Sequence, residues 1–575
     1  MELWHRLVAF LAVTTAVFAT PLLNELPPGK EWPERLSVKQ PFEPEKPTES
    51  PEYYSTFSSD LSFDEKPSEN INEVLPALNE KVENIDAADR STSTGTNVEK
   101  TETINENLPQ VNEKADQKRE TNESQKDVLG VAKDAEKENK VNYSGAQVWK
   151  VSTEDSRVRT VIGRLRRRNL IATWSGNHSY VDVFVKPHAV ENVTRAFKRE
   201  NIEYDIIIDD LQKRIDEENP PLDQNEIELQ DRRAKSYKFW RYRANRRKLG
   251  YLGVYMGYNA IEMPKEYWPY ANWGHRMTWK QYHRLEDIHG FLDYLAKTYS
   301  AIISVRSIGK SFEGRDLKVL RISNGKPSNK AVFIDGGMHA REWISPATVT
   351  YFINQFAENF DEEEDDIRNI DWYFLPVVNP DGYEYTHTAD RLWRKNRKPA
   401  VGRQCAGTDL NRNFGYRWGG KGASANPCSD IFRGNRMFSE PESKALGDFI
   451  KNTAANFTAY LTYHSYGQYI LYPWGYDNVV PPDHKTLDEV GKSMADAIKQ
   501  IDGSKYTVGS SSGVLYPAAG GSDDWAKGQG IKYTFTIELG DTGRYGFILP
   551  TSYIEPVAKE SLAGLRVLAR YVNKY

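Results

Sequence analysis

Cysteine is nearly absent from this chain: 575 residues hold only Cys405 and Cys428, both inside one polar, glycine-rich segment. That count leaves room for one disulfide, closing the segment into a loop in an oxidising compartment. The competing reading, a thiol nucleophile, has no histidine near either cysteine in the sequence to support it. Long apolar runs are lacking too. The run Leu7 to Ala19 follows Arg6, ends in Val17-Phe18-Ala19 and falls short of the roughly 20 residues a bilayer span needs, so residues 1–19 read as a signal peptide. No later stretch is long and apolar enough to cross a bilayer, and a soluble, secreted, extracellular protein is expected. Positive charge is not in excess either: the formal net charge is −5, which argues against a general nucleic-acid binder.

From Thr20 to Lys140 aromatic residues and apolar periodicity are sparse, while Glu, Lys, Asn, Ser, Thr and Pro dominate. Such a composition cannot offset the entropy of ordering, so residues 20–140 are expected to be a disordered acidic and polar extension. The sequons at Asn122, Asn142, Asn177, Asn192 and Asn456 are candidate glycosylation acceptors in an exported chain.

Ordered patterns begin at about residue 145. Strand-like Gln147–Val151, a helical stripe at Val158, Val161, Ile162 and Leu165, strands near Ile171–Trp174 and Tyr180–Val185, a helix from Val190 and a strand Tyr204–Ile208 give the order βαββαβ over residues 145–217. That order suits an antiparallel sheet with two helices on one face. No catalytic constellation occurs in it, so a structural or regulatory module is expected. After Pro220-Pro221 comes a basic, aromatic-rich linker (218–276) containing Arg241-Tyr242-Arg243-Ala244-Asn245-Arg246-Arg247-Lys248. It admits three readings: a solvated basic helix, a polyanion-binding patch, or a protease-sensitive junction between two folded units, the last being preferred.

Residues 277–575 read as a large α/β domain. It opens with a helix striped by Leu285, Ile288, Leu292 and Leu295, and strands follow at Ile303–Ile308, Leu317–Ile322, Ala331–Asp335, Trp372–Val377, Ala459–Tyr463 and Tyr533–Leu539. Helices are expected at Pro346–Phe360, Glu440–Lys451 and Pro556–Val572, and the acidic run Asp361–Asp366 as a solvated loop. Gly336-Gly337 allows a tight turn after the apolar run Ala331–Ile334, which puts His339 in the loop at a strand's carboxyl end and Glu342 in the first turn of the next helix. Alone, His-x-x-Glu is expected about once in a chain this long, and its ordinary meaning is a solvated helix start. Two other strands change that weighting, because one ends in His464 and the other carries Glu538 near its carboxyl end. A catalytic Zn²⁺ takes three protein ligands and keeps one open position, and His339, Glu342 and His464 fill that set. Asp409 could orient a ligand imidazole, while His387 is read as a structural polar residue.

With those motifs in place, residues 277–575 resemble a secreted zinc metallocarboxypeptidase of the pancreatic carboxypeptidase A/B family. The likeness rests on His339-Ala340-Arg341-Glu342-Trp343, Asn379-Pro380-Asp381-Gly382, Arg391-Leu392-Trp393-Arg394, Asp409-Leu410-Asn411-Arg412-Asn413, His464-Ser465-Tyr466 and Glu538 through Phe547, in the family's order. It implies an α/β fold built on a mixed sheet with helices on both faces. It implies one zinc ion per chain, Glu538 as general base and then general acid, and Arg394 as the stabiliser of the oxyanion. Arg412, Asn411 and Tyr516 would grip the free carboxylate of a peptide or protein C-terminus, with Arg341 along the substrate groove. The unit 145–217 more loosely resembles the family's inhibitory propeptide, so an activating protease would cut in the linker. Asp523, in Gly520-Gly521-Ser522-Asp523-Asp524-Trp525, either belongs to the first turn of a helix capped by Ser522 or, as the resemblance implies, floors the pocket for a C-terminal Lys or Arg. The alternatives are an apolar, A-type preference or a non-catalytic peptide-binding protein. A monomer is expected.

Overall fold

The structure is a computed structural model and describes residues 140–228, 275–400 and 405–575. The expected signal peptide, the extension up to residue 139 with Asn122, and the basic stretch Arg241–Lys248 lie outside the described residues.

A small unit comes first: β1 (Gln147–Ser152), α1 (Ser156–Arg167), β2 (Ile171–Gly176), β3 (Tyr180–Val185), α2 (Val190–Glu200), β4 (Tyr204–Ile208) and α3 (Leu211–Glu218). The strands are ordered β2-β3-β1-β4, and every pairing is antiparallel. Because side chains alternate along a strand, each strand serves two surfaces. Trp149, Val151, Val183 and Val185 pack with Val158, Val161, Ile162 and Leu165 of α1 and Val193 and Phe197 of α2. Val148, Trp174, Phe184 and Ile208 face the other way and share a second core with Leu392, Tyr466, Phe547 and Ile548 of the large unit. The Asp155 carboxylate caps α1, accepting from the Arg157 amide at 2.8 Å. The helix α3 was not anticipated from the sequence.

The large unit holds β5 (Ile303–Lys310), β6 (Asp316–Ile322), β7 (Lys330–Asp335), β8 (Ile370–Leu375), β9 (Phe457–Ser465), β10 (Tyr469–Tyr472), β11 (Thr507–Ser510) and β12 (Tyr533–Leu539). They form one mixed sheet in the order β11-β10-β12-β9-β7-β8-β6-β5. Its central pairs β12·β9, β9·β7 and β7·β8 are parallel, and β6 and β5 continue it antiparallel. The unbroken apolar run Ala331–Ile334 follows from coverage on both faces. Val332 and Ile334 meet α4 (Leu285–Thr298), α5 (Ile344–Glu358), α9 (His484–Asp502) and α12 (Ile554–Lys574), whereas Ala331 and Phe333 meet α8 (Pro441–Asn452) and α11 (Ser522–Gly528). Shorter helices complete the unit: α6 (Asp365–Arg368), α7 (Pro380–Thr388) and α10 (Ser511–Val514). The expected mixed sheet with helices on both faces is the one observed.

Three local expectations change. Glu342 precedes α5 and is not in its first turn; the helix starts at Ile344, after the bend that carries His339. The acidic run is not wholly a solvated loop: Asp365 and Asp366 open α6, and Glu363 is buried in an ion pair with Arg566. Gly521, not Ser522, occupies the cap position of α11, with Asp523 and Asp524 in the first turn as expected. Cys405 and Cys428 are joined in a disulfide.

Candidate metal centre and substrate pocket

Three parallel strands end on one edge of the sheet and deliver the chemistry there. After β7 the chain turns at Gly336-Gly337; Gly337 has φ +62°, and a Cβ on Gly336 would lie 2.7 Å from Ser345 Oγ. The following loop is braced by a distant motif: the Ala340 amide donates to Arg394 O at 3.0 Å, and the Arg391 guanidinium donates to Arg341 O at 2.8 Å. His464 lies on β9 directly opposite Glu538 of β12.

These restraints bring three donors together. His339 Nδ1 lies 2.8 Å from Glu342 Oε1, His464 Nδ1 lies 2.9 Å from Glu342 Oε2, and the two Nδ1 atoms are 3.0 Å apart. All three side chains are buried, and their donor atoms lie within 4.8 Å of one another. Two imidazoles and a carboxylate converging in a buried place suit a borderline-soft divalent cation such as Zn²⁺. Asp409 stands behind His339, its Oδ1 3.0 Å from Nε2, and its Oδ2 accepts from Arg394 Nε and NH2 at 3.1 and 2.8 Å. Burial would lift the Asp409 carboxyl, but Arg394 and His339 outweigh it and hold it well below the usual range. Arg394 NH1 also lies 3.9 Å from Glu342 Oε1, so one guanidinium bridges the two acids. Burial pushes Glu538 up to about 7, against the pull of His464, Arg394 and Arg412.

A cavity of about 100 Å³ opens on this centre. Of the residues expected to bind substrate, Asn411, Arg412, Tyr516 and Asp523 line it, together with His339, Glu342, Arg394 and Glu538. Arg412 is fixed by bonds from Nε to Gly422 O and from NH1 to Asn411 O, at 2.9 and 2.8 Å. Asn411 Oδ1 accepts from the Ser522 amide at 2.9 Å and ties α11 to the pocket. Tyr516 is half exposed. Arg341 is not brought to the cavity; it is buried with its guanidinium over the Phe547 ring, 4.0 Å from the centroid. Asp523 and Asp524 are both buried, yet their surroundings differ: Asp524 accepts from the Gly475 and Tyr476 amides at 2.8 Å each, whereas Asp523 accepts from the Thr536 hydroxyl and the Asp524 amide and has a long contact of 3.4 Å from Ser511 Oγ. No ion pair to Asp523 is seen among the described residues. His387 stacks on Trp343 with ring centroids 4.0 Å apart, and burial holds its pKa well below the ordinary range, in keeping with a structural place.

The resemblance to an inhibitory propeptide implied that the small unit covers the active site, but not which of its residues do so. Trp174, Ser175 and Gly176, at the end of β2 in the small unit, form part of its wall. Around them, Tyr466 donates to Asp182 Oδ2 at 2.7 Å, Lys150 pairs with Asp182 at 3.0 Å, and Asn177 Nδ2 donates to Tyr469 OH at 3.1 Å. Further along the contact, Arg391 grips both oxygens of Glu218 at 2.6 Å, and both side chains are buried. Contacts across such sequence distances leave no periodic trace; the one available signal was a charged residue, Asp182, in the middle of the apolar strand β3.

A two-faced mixed sheet with a His-Glu-His cluster at its carboxyl edge and a buried carboxylate beside it defines a metal-dependent hydrolase. Residues 288–564 match the family described as zinc carboxypeptidase, and residues 149–218 match the carboxypeptidase activation peptide. Carboxypeptidase B of Astacus astacus is 47% identical over 301 residues, 52% of this chain and 99% of that protein. Carboxypeptidase B of Homo sapiens is 34% identical over 445 residues, 76% of this chain and 95% of its own length. Among solved structures, thrombin activatable fibrinolysis inhibitor superimposes with a TM-score of 0.61 at 32% identity, covering 75% of this chain and all of that one. The chain belongs to the zinc carboxypeptidase family and has that family's zymogen form: an activation-peptide unit followed by a zinc metallopeptidase.

Proposed function

We propose that the protein is a secreted, monomeric zymogen that removes C-terminal Lys or Arg from peptides once its small unit has been cut away. His339, Glu342 and His464 would hold the zinc ion, which when bound lowers the pKa of a water to about 7. Glu538 takes the proton of the attacking water on its carboxylate and returns it to the departing amine, work suited to a carboxyl lifted by burial to about 7. Arg394, held by Asp409 on one edge, turns its remaining N–H groups to the oxygen that gains charge as the carbonyl becomes tetrahedral. Arg412 receives the terminal carboxylate in a fork-to-fork pair, with Asn411 and Tyr516 beside it.

The observation that carries the basic preference is Asp523: buried in the pocket wall, raised by burial, and in no ion pair among the described residues. An incoming guanidinium or ammonium supplies that partner. The small unit, taken as residues 145–217, blocks access through Trp174, Ser175 and Gly176, and a protease with a taste for basic sites cuts in the linker 218–276 to free the catalytic unit, 277–575. Limited trypsin digestion followed by assay on matched peptides ending in Arg, Lys, Phe or Leu tests the reading. Zinc-dependent release of Arg and Lys is expected only after cleavage. Preference for Phe or Leu overturns the Asp523 assignment, and no release of any residue overturns the enzyme.

A further inference from the structure

Beyond the residues that touch substrate or metal, one buried polar chain has no role in the account so far. Asp335, the last residue of β7, is fully buried. The register of β7 on β9 sets it beside Thr462, and the period of two along β9 puts Tyr460, Thr462 and His464 on the same face. Two of those three side chains hold the carboxylate: Tyr460 OH donates to Oδ2 at 2.6 Å, and Thr462 Oγ1 donates to Oδ1 at 2.8 Å. The same Thr462 oxygen lies 3.1 Å from His464 Nε2. A threonine hydroxyl has one proton. Once that proton is given to Asp335, only a lone pair faces the imidazole, so Nε2 must carry a hydrogen and donate it. In the neutral ring, the form that binds a metal, Nδ1 then keeps its lone pair, on the side facing His339 and Glu342.

We propose that Asp335 is a positioning residue that, through the hydroxyl of Thr462, fixes the tautomer and ring orientation of His464 and so sets the affinity of the centre for zinc. The proposal rests on the zinc-site reading above. With Tyr460 and Thr462 each donating to a different oxygen, Asp335 serves as the acceptor at the end of the chain, and this sets its direction. The device differs from that at His339, where Asp409 meets the imidazole directly. At His464 the strand geometry inserts a hydroxyl between carboxylate and ring. The carboxylate is thereby kept in the sheet interior, held from two sides by one strand, where it cannot swing to the metal itself.

The test is zinc affinity of the full chain, measured by competition with a chromophoric chelator on metal-free protein, with thermal unfolding of the metal-free form alongside. Thr462→Val keeps the shape and deletes the hydroxyl, and it is expected to weaken zinc binding by about 10- to 100-fold, the usual effect of removing an outer partner of a ligand. Asp335→Asn is expected to weaken it in the same range, and Thr462→Ser, which keeps the hydroxyl, to remain within about threefold of the parent. Unchanged zinc affinity in Thr462→Val, or equal weakening in Thr462→Ser, overturns the proposal. Should Thr462→Val not fold, ¹⁵N spectra of histidine-labelled parent protein with zinc decide it. A proton on His464 Nε2 is the expected result, and a proton on Nδ1 refutes it. Activity against peptides is not needed for any of these readings, so the relay can fail while the zinc carboxypeptidase reading stands.

Discussion

Arg391 and Arg394 lie three residues apart, in one turn of chain after α7, and the structure uses them in opposite ways. Arg391 uses four of its five N–H donors: it takes both oxygens of Glu218 and the carbonyls of Arg341 and Phe547, and it lies over the face of Trp343 at 3.7 Å. Arg394 is bonded along one edge to a single oxygen of Asp409, its Nη1 lies 3.9 Å from Glu342 Oε1, and the group borders the cavity. A buried ion with most of its donors paired is a fastener, and here it fastens the activation-peptide unit to the enzyme. A partly paired one, beside acceptors that outnumber their protons, marks the place where something else must bind. Charge and burial alone do not separate the two cases; the count of remaining donors does.

The comparison can be broken or sharpened by substitution. The largest effect is expected on the catalytic side from Glu538→Gln, which should lower kcat of the activated enzyme by about 10³- to 10⁴-fold with zinc content and unfolding midpoint unchanged. Steady-state kinetics on a peptide ending in Arg checks this, and a loss below tenfold would remove Glu538 from proton transfer. Next is the fastener: Arg391→Ala leaves Glu218 buried without its cation and should destabilise the zymogen by about 3–5 kcal/mol, since breaking a buried pair from one side strands the other charge. Chemical denaturation of the intact zymogen measures that loss, and pairing Arg391→Ala with Glu218→Ala should return part of it. Arg394→Ala should then cost about 10²- to 10³-fold in kcat with little change in the zymogen's attachment, the reverse of Arg391→Ala. If both substitutions act alike, the distinction between mostly paired and open arginines is wrong.

The smallest effect concerns pH. Glu538 must be ionised to accept a proton, and burial sets it at about 7, while a bound cation pulls it lower. Activity is therefore retained above that point and lost as pH falls through it, with kcat/KM dropping about tenfold per unit on the acid side. A flat profile from pH 7 down to pH 4.5 would contradict a carboxylate base.

Six of the eight strands of the large sheet are legible in the sequence because each spans at least six residues, long enough for an apolar run or alternation to show. Strands β10 and β11 have four residues each, too few for a period to show. Helix α9 was missed although Leu487, Val490, Met494 and Ile498 follow helical spacing; so few buried apolar residues among nineteen leave the stripe faint. At the site, His339, Glu342, His464 and Glu538 can be read because each lies near the end of an apolar strand or in the bend that follows one, and strand ends on one edge converge by topology. Arg341 shows the limit of that inference: a neighbour of two ligands in sequence, it stacks under Phe547 and does not line the cavity. The Glu218–Arg391 pair and the wall built by Trp174 join residues far apart in the chain, and nothing local to either partner announces the other.

The metal cluster itself has a consequence for folding. His339 and Glu342 are local, but His464 joins them across 125 residues, through a sheet whose β7 and β9 must already be in register. A chain with β9 unpaired, or slipped by one residue, turns His464 to the other face and offers only a two-point site. Zinc that binds the finished cluster and not the partial one stabilises only the completed sheet, by an amount that grows with the logarithm of its concentration over its dissociation constant. Metal retention in this protein is thus a proofreading signal: a copy that holds its zinc through dialysis has assembled the middle of its sheet correctly, and one that loses it has not.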